Sequence, residues 1–480
     1  MQLIPALSVL LLLLAPSPPL RPGIPDTGLG RHADAFLAAY ETRDEGELFT
    51  YFNQHMAPEA LTRRPVEDLV EMVRRMRTDF GVLALMRVTE ESPQVLRVTM
   101  RADKGDIVTL VFEAEAAVPH LLSSIRAEAR PPNGIQDEPE PAAPPRSPAQ
   151  TAEVIGAYVD SLARAGQFSG VVRVTVHGRP LIERAWGLAD RGLRIPNRID
   201  TRFNLGSINK IFTRTAIAQL AQSGRLSLDQ TIERWVPELP RDVAARITVR
   251  ELIDHRSGLG DIFGAAYDST DKSKLRTNAD YLPLFRGRPL LFEPGTNMRY
   301  SNAGYVVLGL IVERVSGESY HDYVRRHVYA PAGMKSTDSY LRDQPVPNRA
   351  VGYTRQRSDT GWRSNLYMLP ERGSAAGGGY STAADLARFM DALAGGRLLD
   401  ARWSAWMMSP SAAGPDSAKT PALPLRVGGL GVAGGSPGVN AALEARLDTG
   451  TCAVVLCNLD PPAAERVARA LRFWLAAMHE

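Results

Sequence analysis

A serine and a lysine lie three residues apart in a stretch whose pattern predicts the start of a helix. The segment Phe203–Thr213 predicts a turn at Gly206 and then a helix that continues to Leu220. Ser207 lies where this helix would begin, among unpaired backbone N–H groups, and Lys210 lies one turn further on the same face. The amine can therefore accept the hydroxyl proton, as in serine enzymes that transfer acyl groups. The alternative is that Ser207 only caps the helix and Lys210 is only a solvated surface residue.

The other basic residues make this lysine more informative. Most of them are arginines, and lysines are scarce. An arginine side chain does not lose its proton in proteins, whereas a desolvated lysine can. A lysine at position 210 of an arginine-rich chain therefore favours a chemical role for the pair.

A second motif, Tyr300-Ser301-Asn302, follows a turn at 293–295 and precedes an apolar helical pattern over 306–312. A phenol has an ordinary pKa of about 10 and serves as a base only when cations lie close to it. Lys210 is the obvious source of such a charge. The alternative is that Tyr300 is a packed aromatic residue and Asn302 a helix cap.

These two motifs and two flanking segments occur in an order that is typical of one family. The flanking segments are 247–259, which reads Ile-Thr-Val-Arg-Glu-Leu-Ile-Asp-His-Arg-Ser-Gly-Leu, and 377–390, which reads Gly-Gly-Gly-Tyr-Ser-Thr-Ala-Ala-Asp-Leu-Ala-Arg-Phe-Met. With them, residues 150–480 resemble the superfamily of serine β-lactamases and penicillin-binding proteins, in particular its class-C-like branch of esterases and D-aminopeptidases. The resemblance does not extend to the residues before 150.

The resemblance implies a role for each residue of the two motifs. Ser207 would be the nucleophile and Lys210 its partner in proton transfer. Tyr300 would act as general base in acylation and would activate water in deacylation, while Asn302 would contact the substrate. The implied fold is an α/β sandwich, in which helices flank an antiparallel sheet and the site lies between the sheet and an all-helical subdomain.

One residue departs from the pattern of the family. The third motif of the family places a cationic or polar residue on a strand at the sheet edge, and the matching stretch here is 431–438, Gly-Val-Ala-Gly-Gly-Ser-Pro-Gly, with Val432 at that position. The resemblance still assigns an oxyanion site to the backbone amides of Ser207 and Gly435, beside Gly434, because an amide donor needs no particular side chain. What is lost is a charge that would hold a substrate carboxylate.

The predicted function is therefore an exported serine hydrolase that acts through an acyl-enzyme on a small ester, amide or peptide. The loss of the cation at Val432 argues against β-lactams and carboxylate-bearing peptides more than against esters, although Arg426 is a candidate replacement. The same loss leaves an alternative, a catalytically impaired binding protein that keeps the fold.

The 480 residues divide by composition into four segments. Residues 1–22 contain a short apolar run that predicts a signal peptide, although no basic residue precedes it. Helical patterns and then alternating strand patterns predict a small α+β domain over 30–130, which is similar to nuclear-transport-factor-like accessory domains in the order of its elements. Residues 131–149 form a proline-rich linker, and 150–480 form the hydrolase domain.

The pattern within 150–480 agrees with the implied fold. A helix over 151–165 precedes a hairpin over 170–186, and the chain ends with strands over 439–447 and 452–459 and a helix over 463–478. Strands from both ends of the segment would share one sheet.

Several other functions are disfavoured by the sequence. A net charge of +3, without a run of Lys or Arg interleaved with aromatic residues, does not indicate a nucleic-acid partner. The Gly-x-Gly-x-x-Gly pattern at 429–434 is followed by a strand pattern rather than the helix that a dinucleotide fingerprint requires. Cys452 and Cys457 should face opposite sides of one strand and stay unpaired, and His255 is interpreted as a packing residue in its loop. We therefore predict no cofactor, no metal site and no membrane span.

Overall fold

The computed structural model describes residues 20–42, 44–103, 107–130, 147–356, 361–408, 429–446 and 448–477. The chain forms two compact units, residues 1–136 and 137–480. Most of the predicted signal peptide, most of the proline-rich linker and Arg426 lie outside the described residues. Within the described part, no helix is both long enough and apolar enough to cross a membrane.

The first unit is built from helices followed by a strand meander. Its elements are α1 (Gly28–Thr42), α2 (Glu45–His55), α3 (Pro58–Arg63), α4 (Val66–Phe80), β1 (Leu83–Ser92), β2 (Val95–Ala102), β3 (Ile107–Ala114) and β4 (Leu122–Arg130). The strands pair in sequence order to form an antiparallel sheet. Phe36, Phe52 and Phe112 are fully buried where the helices meet this sheet. The helix and strand patterns seen in the sequence are thus present in this unit.

The second unit begins and ends with elements that share one sheet. Its first elements are α5 (Pro148–Arg164), β5 (Gly170–Val176), β6 (Arg179–Trp186), β7 (Leu188–Asp190), β8 (Ile195–Pro196), β9 (Phe203–Asn204) and α6 (Lys210–Gln222). The middle of the unit, largely helices and loops, contains α7 (Arg241–Ala244), α8 (Val249–Ile253), α9 (Ala265–Ser269), α10 (Asn302–Ser316), α11 (Tyr320–Val324), α12 (Ala330–Ala332), β10 (Tyr353–Thr354) and β11 (Arg363–Ser364). The last elements are β12 (Tyr380–Ser381), α13 (Ala383–Ala394), α14 (Ala401–Met408), β13 (Gly429–Ser436), β14 (Val439–Arg446), β15 (Thr451–Cys457) and α15 (Ala463–Ala477).

The main sheet of the described residues has the strand order β13-β14-β15-β5-β6, and every neighbouring pair is antiparallel. Strand β15 joins the two ends of the unit, with Val455 opposite Val172. Successive residues of these strands pack on opposite faces of the sheet. Val171 contributes to the core shared with α6, α10 and α13, whereas Val172 contributes to the core shared with α5 and α15. The predicted sandwich of helices around an antiparallel sheet is confirmed.

The two cysteines follow the same alternation along β15. Cys452 lies in the core on one face of the sheet and Cys457 in the core on the other face, and both are buried and unpaired. The prediction that they face apart and do not form a disulfide is confirmed. The 429–434 glycine pattern lies within β13, and a tight turn and the strand β14 follow it, so the helix needed to bind a dinucleotide is not there.

Burial predicts how these thiols react. Desolvation raises the pKa of Cys452 and that of Cys457 to about 12, and a thiol in this state is both protonated and screened from reagents. We expect no reaction of the native protein with 5,5′-dithiobis(2-nitrobenzoic acid) at pH 8, and reaction of both cysteines in guanidinium chloride. Rapid modification of either thiol in the native protein would contradict this packing.

Candidate active site

The turn that carries Ser207 is shaped by its neighbours in sequence. Asn204 accepts a hydrogen bond from the backbone N–H of Gly206 at 2.9 Å, and Gly206 has a φ of +50°, which favours glycine. Residues Gly206–Asn209 form a 3-10 turn, and α6 begins only at Lys210. The prediction that the helix begins at Ser207 is therefore wrong by three residues: Ser207 lies in the turn, because the positive φ of Gly206 leads into a 3-10 turn first. The serine hydroxyl still faces Lys210 across this turn.

Lys210 is buried at the first residue of α6, with 7% of its surface exposed. In its protonated form Nζ donates hydrogen bonds to Ser207 Oγ at 3.1 Å and to Asn302 Oδ1 at 2.7 Å, and it also donates to the carbonyl oxygen of Ala376. Desolvation lowers the pKa of Lys210 to about 7, although the carboxylate of Asp261 acts in the opposite direction. The amine can therefore both hold and release a proton near neutral pH.

Tyr300 also contacts the serine. Its hydroxyl donates to Ser207 Oγ at 2.7 Å, and Lys210 Nζ lies 4.8 Å from the centre of its ring. Burial of the phenol, with a further contribution from Asp261, raises the pKa of Tyr300, while the bond to Ser207 acts against this rise. A phenol whose pKa is raised keeps its proton at pH 7, and the role of Tyr300 as general base stays a prediction.

Asn302 is the first residue of α10, and both the oxygen and the nitrogen of its side-chain amide form hydrogen bonds. Its Oδ1 accepts from Lys210, and its Nδ2 donates to both carboxylate oxygens of Asp261 at 3.0 Å. The cap of α10 is Ser301, whose hydroxyl accepts from Gly304 N at 2.9 Å, so Asn302 is not the cap. Contact of Asn302 with a substrate stays a prediction.

The edge strand β13 lies against the Ser207 turn. A Cβ atom at Gly434 would lie 2.0 Å from the carbonyl oxygen of Leu205 and 2.9 Å from Ser207 N, and a Cβ atom at Gly206 would lie 3.0 Å from Gly435 N. Backbone atoms of the turn and of the strand can approach this closely only because these positions lack side chains. The amides of Ser207 and Gly435 are thus neighbours, as two donors to one oxyanion must be.

Two further positions of the sequence analysis lie around this site. Val432 is partly buried and packs against the core, so it adds no charge to the site. His255 packs its ring 4.5 Å from that of Tyr300, and its Nδ1 accepts from Ser301 N at 3.1 Å. Desolvation and the nearby Lys210 lower the pKa of His255 to about 4, so this side chain is neutral at pH 7.

The sequence analysis missed two groups that contact the motif residues. Asp261 follows the glycine-containing loop 254–260 directly, and the carbonyl of Ala376 precedes the segment 377–390 by one residue. Both adjoin segments that the family pattern had already singled out. An acidic residue next to such a loop was the available signal for Asp261, whereas a backbone carbonyl gives no signal in a sequence.

Comparison with known proteins gives the same family from independent evidence. The family model described as beta-lactamase matches residues 153–478. A penicillin-binding protein of Bacillus subtilis (strain 168) is 32% identical over 217 residues, which cover 44% of this chain and 46% of that protein. Esterase EstB of Burkholderia gladioli is 31% identical over 277 residues, which cover 51% of this chain and 70% of the esterase. The chain spans about half the length of the first curated relatives it matches.

A solved structure supports the fold as well. The D-amino acid amidase of Ochrobactrum anthropi SV3, in complex with L-phenylalanine amide, superposes with a TM-score of 0.57 at 27% identity. The match covers 69% of this chain and 99% of the amidase. The likeness thus extends over nearly the whole amidase fold.

The close approach of β13 to the Ser207 turn predicts a strong position dependence for glycine substitution. We expect Gly434→Ala to lower the free energy of unfolding by about 1–3 kcal/mol, because the added methyl group must displace backbone atoms. Gly431→Ala is the matched control, since a Cβ atom at Gly431 in the same strand would meet nothing within 4 Å. Urea denaturation of both variants measures the difference, and equal midpoints would contradict the described approach.

Proposed function

The chain belongs to the beta-lactamase family, and from that premise we propose that it is a serine hydrolase that forms an acyl-enzyme on Ser207. One observation carries the proposal: Ser207 Oγ lies 3.1 Å from an amine and 2.7 Å from a phenol. These distances are within the range for proton transfer to and from a nucleophile. The esterase and the amidase among the similar proteins support a reaction at an ester or amide carbonyl.

Lys210 is proposed as the group that takes the serine proton. Its pKa of about 7 leaves a large fraction of the amine unprotonated at neutral pH, and it contacts Ser207 directly. The family resemblance assigned the base of acylation to Tyr300. The raised pKa of Tyr300 supports a different role, in which the neutral phenol passes a proton between Lys210 and the leaving group.

The proposed reaction has two halves. In acylation, the Ser207 hydroxyl proton passes to Lys210 as Oγ bonds to the substrate carbonyl carbon. The bond to the leaving group then breaks, and the leaving alcohol or amine receives a proton from Tyr300, which is reprotonated from Lys210. In deacylation, a water molecule loses a proton through the same groups and attacks the acyl carbon, and Ser207 regains its hydrogen. The acid and the free enzyme are the products.

The amides of Ser207 and Gly435 are proposed to bind the oxyanion of both tetrahedral intermediates. Their positions follow from the contact between the Gly206 turn and β13. Amides fixed by a turn and a strand need no reorganisation when charge develops on the substrate oxygen, which is the source of their catalytic contribution.

The proposed substrates are neutral esters or amides rather than β-lactams or other carboxylates. Val432 supplies no cation, and the carboxylate of Asp261 adds negative charge beside Lys210. A negatively charged substrate would therefore find little attraction near the nucleophile.

We also propose export, which rests on the apolar run at 3–15 in the sequence alone. The rival function, a binding protein without catalysis, rests on Val432 and would leave a Ser207→Ala variant fully functional in a complementation assay.

The nucleophile and its base can be tested together. We expect a fluorophosphonate to label Ser207, and labelling to be absent in Ser207→Ala but normal in Ser223→Ala, an exposed control just after α6. Because the base must be unprotonated, kcat/KM for a p-nitrophenyl ester should rise with pH to a plateau, with a midpoint of about 7. A folded protein that is not labelled would overturn the hydrolase proposal, and a midpoint near 10 would overturn the role of Lys210.

Substrate charge is tested separately at Val432. We expect p-nitrophenyl butyrate to be turned over faster than nitrocefin, which carries a carboxylate. Val432→Lys should raise the rate for nitrocefin relative to the ester by about tenfold, which corresponds to about 1.4 kcal/mol. Val432→Thr is the control, since it changes polarity without adding charge. Comparable turnover of both substrates by the unmodified protein would contradict the proposed preference.

A further inference from the structure

Asp261 holds the amide of Asn302 in one orientation. Both carboxylate oxygens lie 3.0 Å from Asn302 Nδ2. A carboxylate only accepts hydrogen bonds and an amide nitrogen only donates them, so the nitrogen must face Asp261. The amide oxygen of Asn302 is then the end that faces Lys210.

This orientation decides where the hydrogens of Lys210 point. A neutral amine has two N–H groups and one lone pair, and the three partners of Nζ are Ser207 Oγ, Asn302 Oδ1 and the carbonyl oxygen of Ala376. The two carbonyl-type oxygens can only accept, whereas the serine hydroxyl can also donate. Both N–H groups are therefore used on Asn302 and Ala376, and the lone pair faces the Ser207 hydroxyl.

We propose that Asp261 is a positioning residue of this site, which fixes the Asn302 amide so that the Lys210 lone pair is directed at Ser207. This inference rests on the proposed hydrolase function. Asp261 lies outside the three motifs, and its proposed role is to prevent the Asn302 amide from rotating so that its nitrogen faces Lys210. A turned Asn302 would donate to the Lys210 lone pair and would compete with the serine proton for it.

The other contact of Asp261 shows why an asparagine could not replace it. Asp261 Oδ1 also accepts from the backbone N–H of Phe263 at 3.2 Å. An asparagine at position 261 would keep its oxygen on this N–H and would place its NH2 group toward Asn302. Asn302 would then satisfy that donor best by turning its own oxygen away from Lys210.

The remaining charged and titratable groups around Lys210 do not share this task. They are Tyr300, Tyr305, His255 and, one turn along α6, Arg214. Burial raises the pKa of both tyrosines and lowers that of His255 to about 4, so these side chains are neutral at pH 7. Asp261 alone among these groups contacts the amide of Asn302.

The experiment compares Asp261→Asn with Asp268→Asn in the full chain. Asp268 is an exposed aspartate in α9, seven residues further on. We expect Asp261→Asn to slow both fluorophosphonate labelling of Ser207 and kcat on the order of 10²-fold, as for a misdirected catalytic group. Loss of the carboxylate should also lower the pKa of Lys210 and move the acid limb of the pH profile to lower pH. Asp268→Asn should behave as the unmodified protein.

A second pair of variants separates positioning from simple structural damage. Asp261→Glu keeps a group that only accepts, so it should retain more activity than Asp261→Gln, which matches it in length. If Asp261→Asn does not fold, the comparison of Asp261→Glu with Asp261→Gln replaces the comparison of Asp261→Asn with Asp268→Asn. Equal losses in the two variants, or an unmoved acid limb in Asp261→Asn, would overturn the inference. If the unmodified protein is not labelled, the proposed function fails and the inference fails with it, whereas normal labelling of Asp261→Asn defeats the inference alone.

Discussion

The arrangement of the candidate active site depends on the desolvation of one amine, that of Lys210. Lys210 is taken out of water at the start of a buried helix, and this favours its neutral form. A buried amine is tolerated only where its hydrogens find acceptors. The fold supplies them from distant parts of the chain: Asn302 at the start of α10 and the carbonyl of Ala376 before β12. The same contacts that make the burial tolerable also define the direction in which the amine can act.

The sheet contributes its edge strand β13 to the site, at positions where glycines carry no side chain. Among the described residues, β13 is the edge strand of the main sheet, and an edge strand has backbone groups that are not paired with a further strand. The turn that carries Ser207 lies against this edge, because Gly206 and Gly434 let the two backbones approach. An exposed edge is usually a risk for aggregation, but here the Ser207 turn packs against it. The contact between the Ser207 turn and β13 therefore contributes both to packing and to the proposed oxyanion site.

The ionisable groups near Ser207 carry little positive charge. The amine has a pKa of about 7, the phenol holds its proton at pH 7, and Val432 stands where the family has a cation or a polar group. Asp261 adds a negative charge beside Lys210, and its carboxylate is hydrogen-bonded to the amide of Asn302. In the proposed reaction, negative charge is stabilised where it develops, at the backbone amides, rather than on the substrate before reaction.

The sequence by itself indicated the family and the sandwich fold, through the order of its motifs and their resemblance to a known family. Helical spacing placed Ser207 and Lys210 one turn apart, and the resemblance added Tyr300 and Asn302 as site residues. The alternation of β15 likewise determined that its cysteines face apart. Only the tertiary structure decided that α6 begins after the Ser207 turn, that Tyr300 is neutral, and that Asp261 and the Ala376 carbonyl complete the surroundings of Lys210. These features depend on desolvation and on contacts between residues far apart in the chain, and neither is encoded in any local pattern of residue types.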